Sequence, residues 1–207
     1  MSPRLRILAL PAALLLALGL GACSASFRTA YPEPVAAEVA RTWKLSDVEV
    51  TVPDALVVNE DPGLLPRGDI VWREDPAGDR KAQVAQIVAD AAAQAGEALP
   101  GATPVTVRIT LTRFHALTYE AEARNWKAGV HDIEMTAEVI DTASGAVLKG
   151  PDPIEASLPA LAGQEMIAAR ERGETQKSQI TAHLVRTFQG WLGIGPDPRG
   201  SFTRMGG

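Results

Sequence analysis

A single cysteine, Cys23, excludes an intrachain disulfide from this chain of 207 residues. Aromatic residues make up only 5% of it, so the core must be built from alanine and the aliphatic side chains. There is no basic run, and acidic side chains outnumber basic ones by 25 to 20. That balance argues against nucleic acid as a partner and against charge-driven binding to anionic headgroups. The long apolar run, Ile7–Leu20, has 14 residues, short of the roughly 20 a membrane-spanning helix needs. Gly-x-Ser-x-Gly and His-Glu-x-x-His are absent, and no glycine-rich phosphate loop precedes a helix. The sequence therefore offers no catalytic residue, no cofactor and no metal centre, and the protein is expected not to be an enzyme.

What is present begins at the first residues. Arg4 and Arg6 precede the apolar run, and small residues lead to Cys23, the three-part layout of a secretory signal. Leu20-Gly21-Ala22-Cys23 resembles the lipobox of bacterial lipoproteins: an aliphatic residue, a small residue, Gly or Ala, then Cys. The resemblance implies cleavage after Ala22, a diacylglyceryl thioether on the Cys23 sulfur and fatty acylation, such as palmitate, of the new N-terminus. Two or three acyl chains would anchor the protein durably, at about 0.8 kcal/mol per buried CH₂. Ser24 stands where an aspartate would resemble an inner-membrane retention signal, which favours the periplasmic face of the outer membrane. Without Arg4 and Arg6 the net charge falls from −5 to −7.

The chain divides into a signal peptide at 1–22, a lipidated N-terminus and tether at 23–44, one domain at 45–192, and a disordered Gly/Pro-rich tail at 193–207. The tether is punctuated by Pro32 and Pro34, and proline stiffens and extends linkers. The tail holds five glycines and two prolines. Within the domain, Val48, Val50 and Val52 alternate with polar residues, a strand period. Asp69–Trp72 is expected as a second, short strand. Val84, Ile87, Val88, Ala91 and Ala95 recur at helical spacing, predicting a helix from Asp79 to Leu99 that ends at Pro100-Gly101. Val105, Val107, Ile109 and Leu111 alternate, as do Ile133, Met135, Ala137 and Val139, predicting a hairpin with a long projecting loop. A turn at Asp141–Gly145 leads to a third strand. A last helix is expected over Gly163–Leu192, loosened at Gly173, with Ile180, Leu184, Phe188 and Trp191 inward and His183 on the surface.

The order β-(β)-α-β-β-β-α predicts an α+β fold: an antiparallel sheet of three to five strands with two main helices on one face. It resembles the small domains of envelope accessory lipoproteins, and Asp141-Thr142-Ala143-Ser144-Gly145-Ala146-Val147-Leu148 is similar to a strand–turn–strand pattern common among them. The turn chemistry alone also explains that pattern.

Chemistry-bearing residues gather around the projecting loop: His115, Tyr119, Glu120, Glu122, Arg124, Trp126, His131, Asp132 and Glu134. His115 and His131 could approach each other at its base, but their spacing matches no metal motif. Tyr119, Arg124 and Trp126 are of the types that anchor interfaces, and form a candidate partner-binding loop. The expected protein is a membrane-anchored envelope scaffold or assembly accessory with an envelope protein partner. The alternative is a lipid-binding auxiliary of a transport system, with a small apolar ligand in a cleft between sheet and helices lined by Ile109, Leu111, Met135 and the apolar stripe of the first helix.

Overall fold

The computed structural model describes residues 24–124 and 128–205. The lipobox, Leu20 to Cys23, and Trp126 lie outside the described residues. Strand β1 spans Ser24–Ala30, the short helix α1 Ala37–Ala40, and β2 Trp43–Thr51. The chain continues through β3 (Ile70–Val71), α2 (Arg80–Gly96), β4 (Thr103–His115), α3 (Tyr119–Ala123) and β5 (Val130–Asp141). It ends with β6 (Val147–Ala156), β7 (Leu158–Pro159), α4 (Gln164–Glu171), α5 (Gln176–Trp191) and β8 (Gly200–Met205).

The sheet corrects the expected architecture. Among the described residues eight strands form one mixed sheet, in the order β2-β4-β5-β6-β1-β8, with β3 on β4 and β7 on β5. It is neither three- to five-stranded nor wholly antiparallel, although the class remains α+β. β2 runs parallel to β4, with Val48 opposite Val107 and Val50 opposite Ile109. The reason is α2, which lies between them in the chain: a helical crossover returns the next strand in the same direction, whereas a tight turn reverses it. β3 sits in the same crossover and also pairs parallel, Ile70 with Phe114.

The expected tether and tail account for two of the extra strands. β1 pairs antiparallel with β8, from Ser24 opposite Met205 to Thr29 opposite Gly200. Phe27 and Phe202 stack with ring centroids 5.8 Å apart. The Tyr31 hydroxyl donates to Asp197 at 2.8 Å, and the Arg199 guanidinium lies over the Tyr31 ring. Neither segment shows a clean alternation, because each half of the pair is completed only by the opposite end of the chain.

Two helices cover one face of the sheet. Asp79 caps α2 by accepting the Ala82 N–H at 3.1 Å. α2 runs to Gly96, where a side chain would collide with Leu45 of β2; glycine there lets helix and strand close together. The expected second helix is two: Gly173, at φ +80°, turns the chain between α4 and α5. Thr175 and Ser178 form a reciprocal capping box at the start of α5. Val84, Ile87, Val88, Ile180, Leu184, Phe188 and Trp191 pack on Ile109, Leu111 and Met135, all buried. Those three strand residues therefore belong to the closed core, and the cleft expected around them is filled by the two helices. No helix among the described residues is long and apolar enough to cross a membrane.

Candidate functional site

A cleft of about 380 Å³ opens at the far end of β4 and β5. A register shift positions its polar wall. Val105, Val107, Ile109 and Leu111 face the helices, but the shift between Leu111 and Arg113 interrupts the alternation. Phe114 then takes the buried side, and Arg113 and His115 turn to the outer face beside Asp132 and Glu134. The apolar wall comes from far apart in the sequence: Phe27 of β1, Leu64 and Leu65 of the loop before β3, Leu117, Ala121 of α3 and Val130 of β5. Thr118 fixes this corner, capping α3 through the Ala121 N–H and donating to the Gly63 carbonyl at 3.0 Å.

The polar side chains are engaged with one another. Asp132 accepts from Arg113 Nε at 2.7 Å through one carboxylate oxygen and from the Ser157 hydroxyl at 2.7 Å through the other. Arg113 Nη2 donates to His115 Nδ1 at 3.1 Å, so His115 carries its proton on Nε2 and donates it to the Gly68 carbonyl. Burial, then the Arg113 charge, holds His115 below the ordinary imidazole value. Burial and the neighbouring Asp132 carboxylate push Glu134 above the usual carboxylate range. Ser157 meets a carboxylate and His115 an arginine and a carbonyl, so the two do not form a nucleophile–base pair.

His115 and His131 are not brought together. His115 lies on the outer face, whereas His131 points inward, fully buried, with neither ring nitrogen hydrogen-bonded. His183 is likewise buried, against the expectation of a surface position: α5 turns it to the sheet, where its Nε2 meets Thr29 Oγ1 at 3.0 Å. Thr29 in turn donates to the Ser157 carbonyl at 3.2 Å. Burial lowers the pKa of His131 to about 3 and that of His183 to about 4; the neighbouring His183 disfavours a second proton on His131, and the Arg186 charge adds to the shift of His183. Among the described residues no group of three or more His, Cys, Asp or Glu side chains is placed to hold a metal ion.

The candidate partner loop borders the cleft. Tyr119 is exposed, its hydroxyl donating to the Arg73 carbonyl, and Arg124 pairs with Glu120 at 2.9 Å. Glu122 serves a structural node instead. It pairs with Arg170 at 2.8 Å, which also reaches Glu74 at 3.0 Å. Glu74 accepts the first N–H groups of α5, from Gln176 and Lys177. Arg113, Leu64, Leu65 and Phe27 also line the cleft, and no motif in the sequence marks them. The apolar pair Leu64-Leu65, directly after the turn cluster Asn59–Gly63, is the one local signal, and it marks only those two.

A mixed sheet covered on one face by two helices, with a half-apolar cleft at its end, defines an α+β domain. Residues 43–207 match the model of a family of unknown function, DUF6778, and the chain belongs to that family. Among solved structures it is similar to PelC from Paraburkholderia phytofirmans, a dodecamer, at 12% identity and a TM-score of 0.34 over 80% of this chain and 96% of that one. A Xanthomonas campestris protein of the DUF330 family is similar at 13% identity and a TM-score of 0.43, over 73% and 82% of the two chains. A candidate lipoprotein from Caulobacter crescentus is similar at 16% identity and a TM-score of 0.30, over 53% and 83%. No curated protein matches the chain.

Proposed function

We propose that this protein is a lipid-anchored component of the bacterial envelope that acts by binding, as a scaffold or assembly accessory, and not by catalysis. The observation that carries the anchor is the ordered run Leu20-Gly21-Ala22-Cys23 after a signal-like segment. Ser24 is already part of β1, so maturation after Ala22 would leave the domain whole. The pairing of Asp132 with both Arg113 and Ser157, and of His115 with the Gly68 carbonyl, supports the binding role. Those groups are spent on structure and on each other. Exposed Tyr119 and Arg124 would supply contacts for an envelope protein partner.

Cys23→Ser tests the anchor. The variant is expected to move from the membrane to the soluble fraction and to lose the lipid mass carried by the parent chain. A variant that stays with the membrane at unchanged mass would overturn the reading. Sedimentation of the parent with outer-membrane vesicles tests the assignment to that bilayer. A second reading, a lipid-handling auxiliary, is favoured by the apolar wall of the cleft.

A further inference from the structure

We infer that the cleft takes up one acyl chain of a bilayer phospholipid while the domain lies against the membrane. The inference rests on the lipid-anchor reading above and gives its binding site an occupant. Three observations lead to it. The first is chemical. Phe27, Leu64, Leu65, Leu117, Ala121 and Val130 line a volume of about 380 Å³, within the ordinary range of ligand sites. The polar wall is occupied by its own contacts, Asp132 with Arg113 and Ser157, and His115 with Gly68. What the cleft offers a ligand is therefore mainly apolar surface.

The second observation is the rim. Leu65 is 73% exposed, the most exposed large apolar side chain among the described residues. Placed at the mouth of an apolar cleft, it leaves hydrocarbon facing water that an apolar ligand would cover.

The third is position. Ser24 is paired with Met205, so no free spacer separates Cys23 from the folded body. Phe27 lies four residues after Cys23, at most about 13 Å along a strand rising about 3.3 Å per residue. With acyl chains on Cys23, this wall of the cleft is held within reach of the surrounding lipids. A tether of some twenty residues would have allowed the domain to stand off; the pairing of β1 with β8 takes that freedom away. The bilayer is therefore the source of acyl chains at the highest local concentration.

Photocrosslinking tests the inference on the full-length protein in phosphatidylethanolamine–phosphatidylglycerol vesicles. The probe is a phospholipid carrying a diazirine on one acyl chain. Irradiation and peptide mapping are expected to place label on residues 64–66 and 117–121. Label there should be about tenfold above that on the sheet face around Glu49, Arg108 and Glu138, away from the cleft. Leu65→Glu changes an exposed residue and is expected to cut cleft label about tenfold, the effect of replacing one apolar contact with a charge. Ala121→Phe, which fills the cleft from α3, should do the same.

Even label over all strands, or full label in both variants, would overturn the inference. So would cleft label appearing only when the diazirine is carried on the protein's own N-terminal acyl chain, since that occupant is not a bilayer lipid. Intact mass of the same preparation separates the two readings. Lipidated Cys23 with an unlabelled cleft removes the acyl site and leaves the anchor. Bare Cys23 with a labelled cleft removes the anchor and leaves the acyl site.

Discussion

The helix-covered face of the sheet and the cleft at its end are made on different principles. The covered face is mainly apolar, and its side chains arrive at regular spacing from α2, α5, β4 and β5. The cleft is assembled from five separated stretches, held by a register shift, the Thr118 cap and a chain of polar contacts. The first kind of construction yields stability and little choice of ligand. The second contributes less to stability and can change without unfolding the domain. Substitutions should therefore divide cleanly: inward residues of the helices should move the unfolding midpoint, and cleft residues should move binding.

The largest effect is expected at Trp191. It is fully buried, and its indole N–H donates to Asp152 at 2.9 Å. Trp191→Ala should cost about 3–5 kcal/mol by loss of buried surface and cavity formation, read as a lower urea midpoint. A midpoint that hardly moves would mean the two helices do not supply the stability assigned to them.

Next comes the boundary between the two regions, where His131 and His183 sit. Both are held neutral by burial, with values of about 3 and 4 against 6.5 in an unfolded chain. The unfolded chain therefore binds more protons as pH falls below 6.5, and stability drops progressively from there toward pH 4 and 3. It is fully present above pH 6.5. His131→Phe removes one of these groups and should flatten the slope of urea midpoint against pH between 6.5 and 4. The expected difference is a few kcal/mol at the acid end. Parallel slopes in parent and variant would show that His131 is not the group being protonated.

The smallest expected effect is at the start of α5. Thr175→Ala removes one side of the capping box and should cost about 1 kcal/mol. Glu74 still accepts N–H groups of the same helix end. A shift as large as that of Trp191→Ala would indicate that α5 depends on its cap more than on its packing.

The regions differ in how much of them could be read from the chain. Val84, Ile87, Val88 and Ala91 announced α2, and the alternations through Leu111 and from Ile133 announced β4 and β5. Each local period follows from one face of an element being buried. The direction of β2 was not legible. Parallel and antiparallel strands carry similar side-chain patterns, and only the crossover through α2 decides between them. β1 and β8 read as tether and tail because Ser24–Ala30 and Gly200–Met205 lack an alternation and find each other only across the fold. For the candidate site, His115, His131, Asp132 and Tyr119 are legible in the sequence as residues flanking the long loop. The register shift after Leu111 then separated His115 from His131 onto opposite faces, and no sequence period carries that shift.

The sequence by itself determined the signal-like start and the lipobox resemblance at Cys23, the acidic balance, and the existence of the main helix and the central hairpin. These are set by composition and by contacts within a few turns or residues. Only the tertiary structure decided the mixed sheet, the joining of both ends of the chain in one edge, and the cleft between Phe27, Leu65 and Arg113. Those features depend on residues that are neighbours in space and strangers in sequence, and local patterning does not encode such pairings.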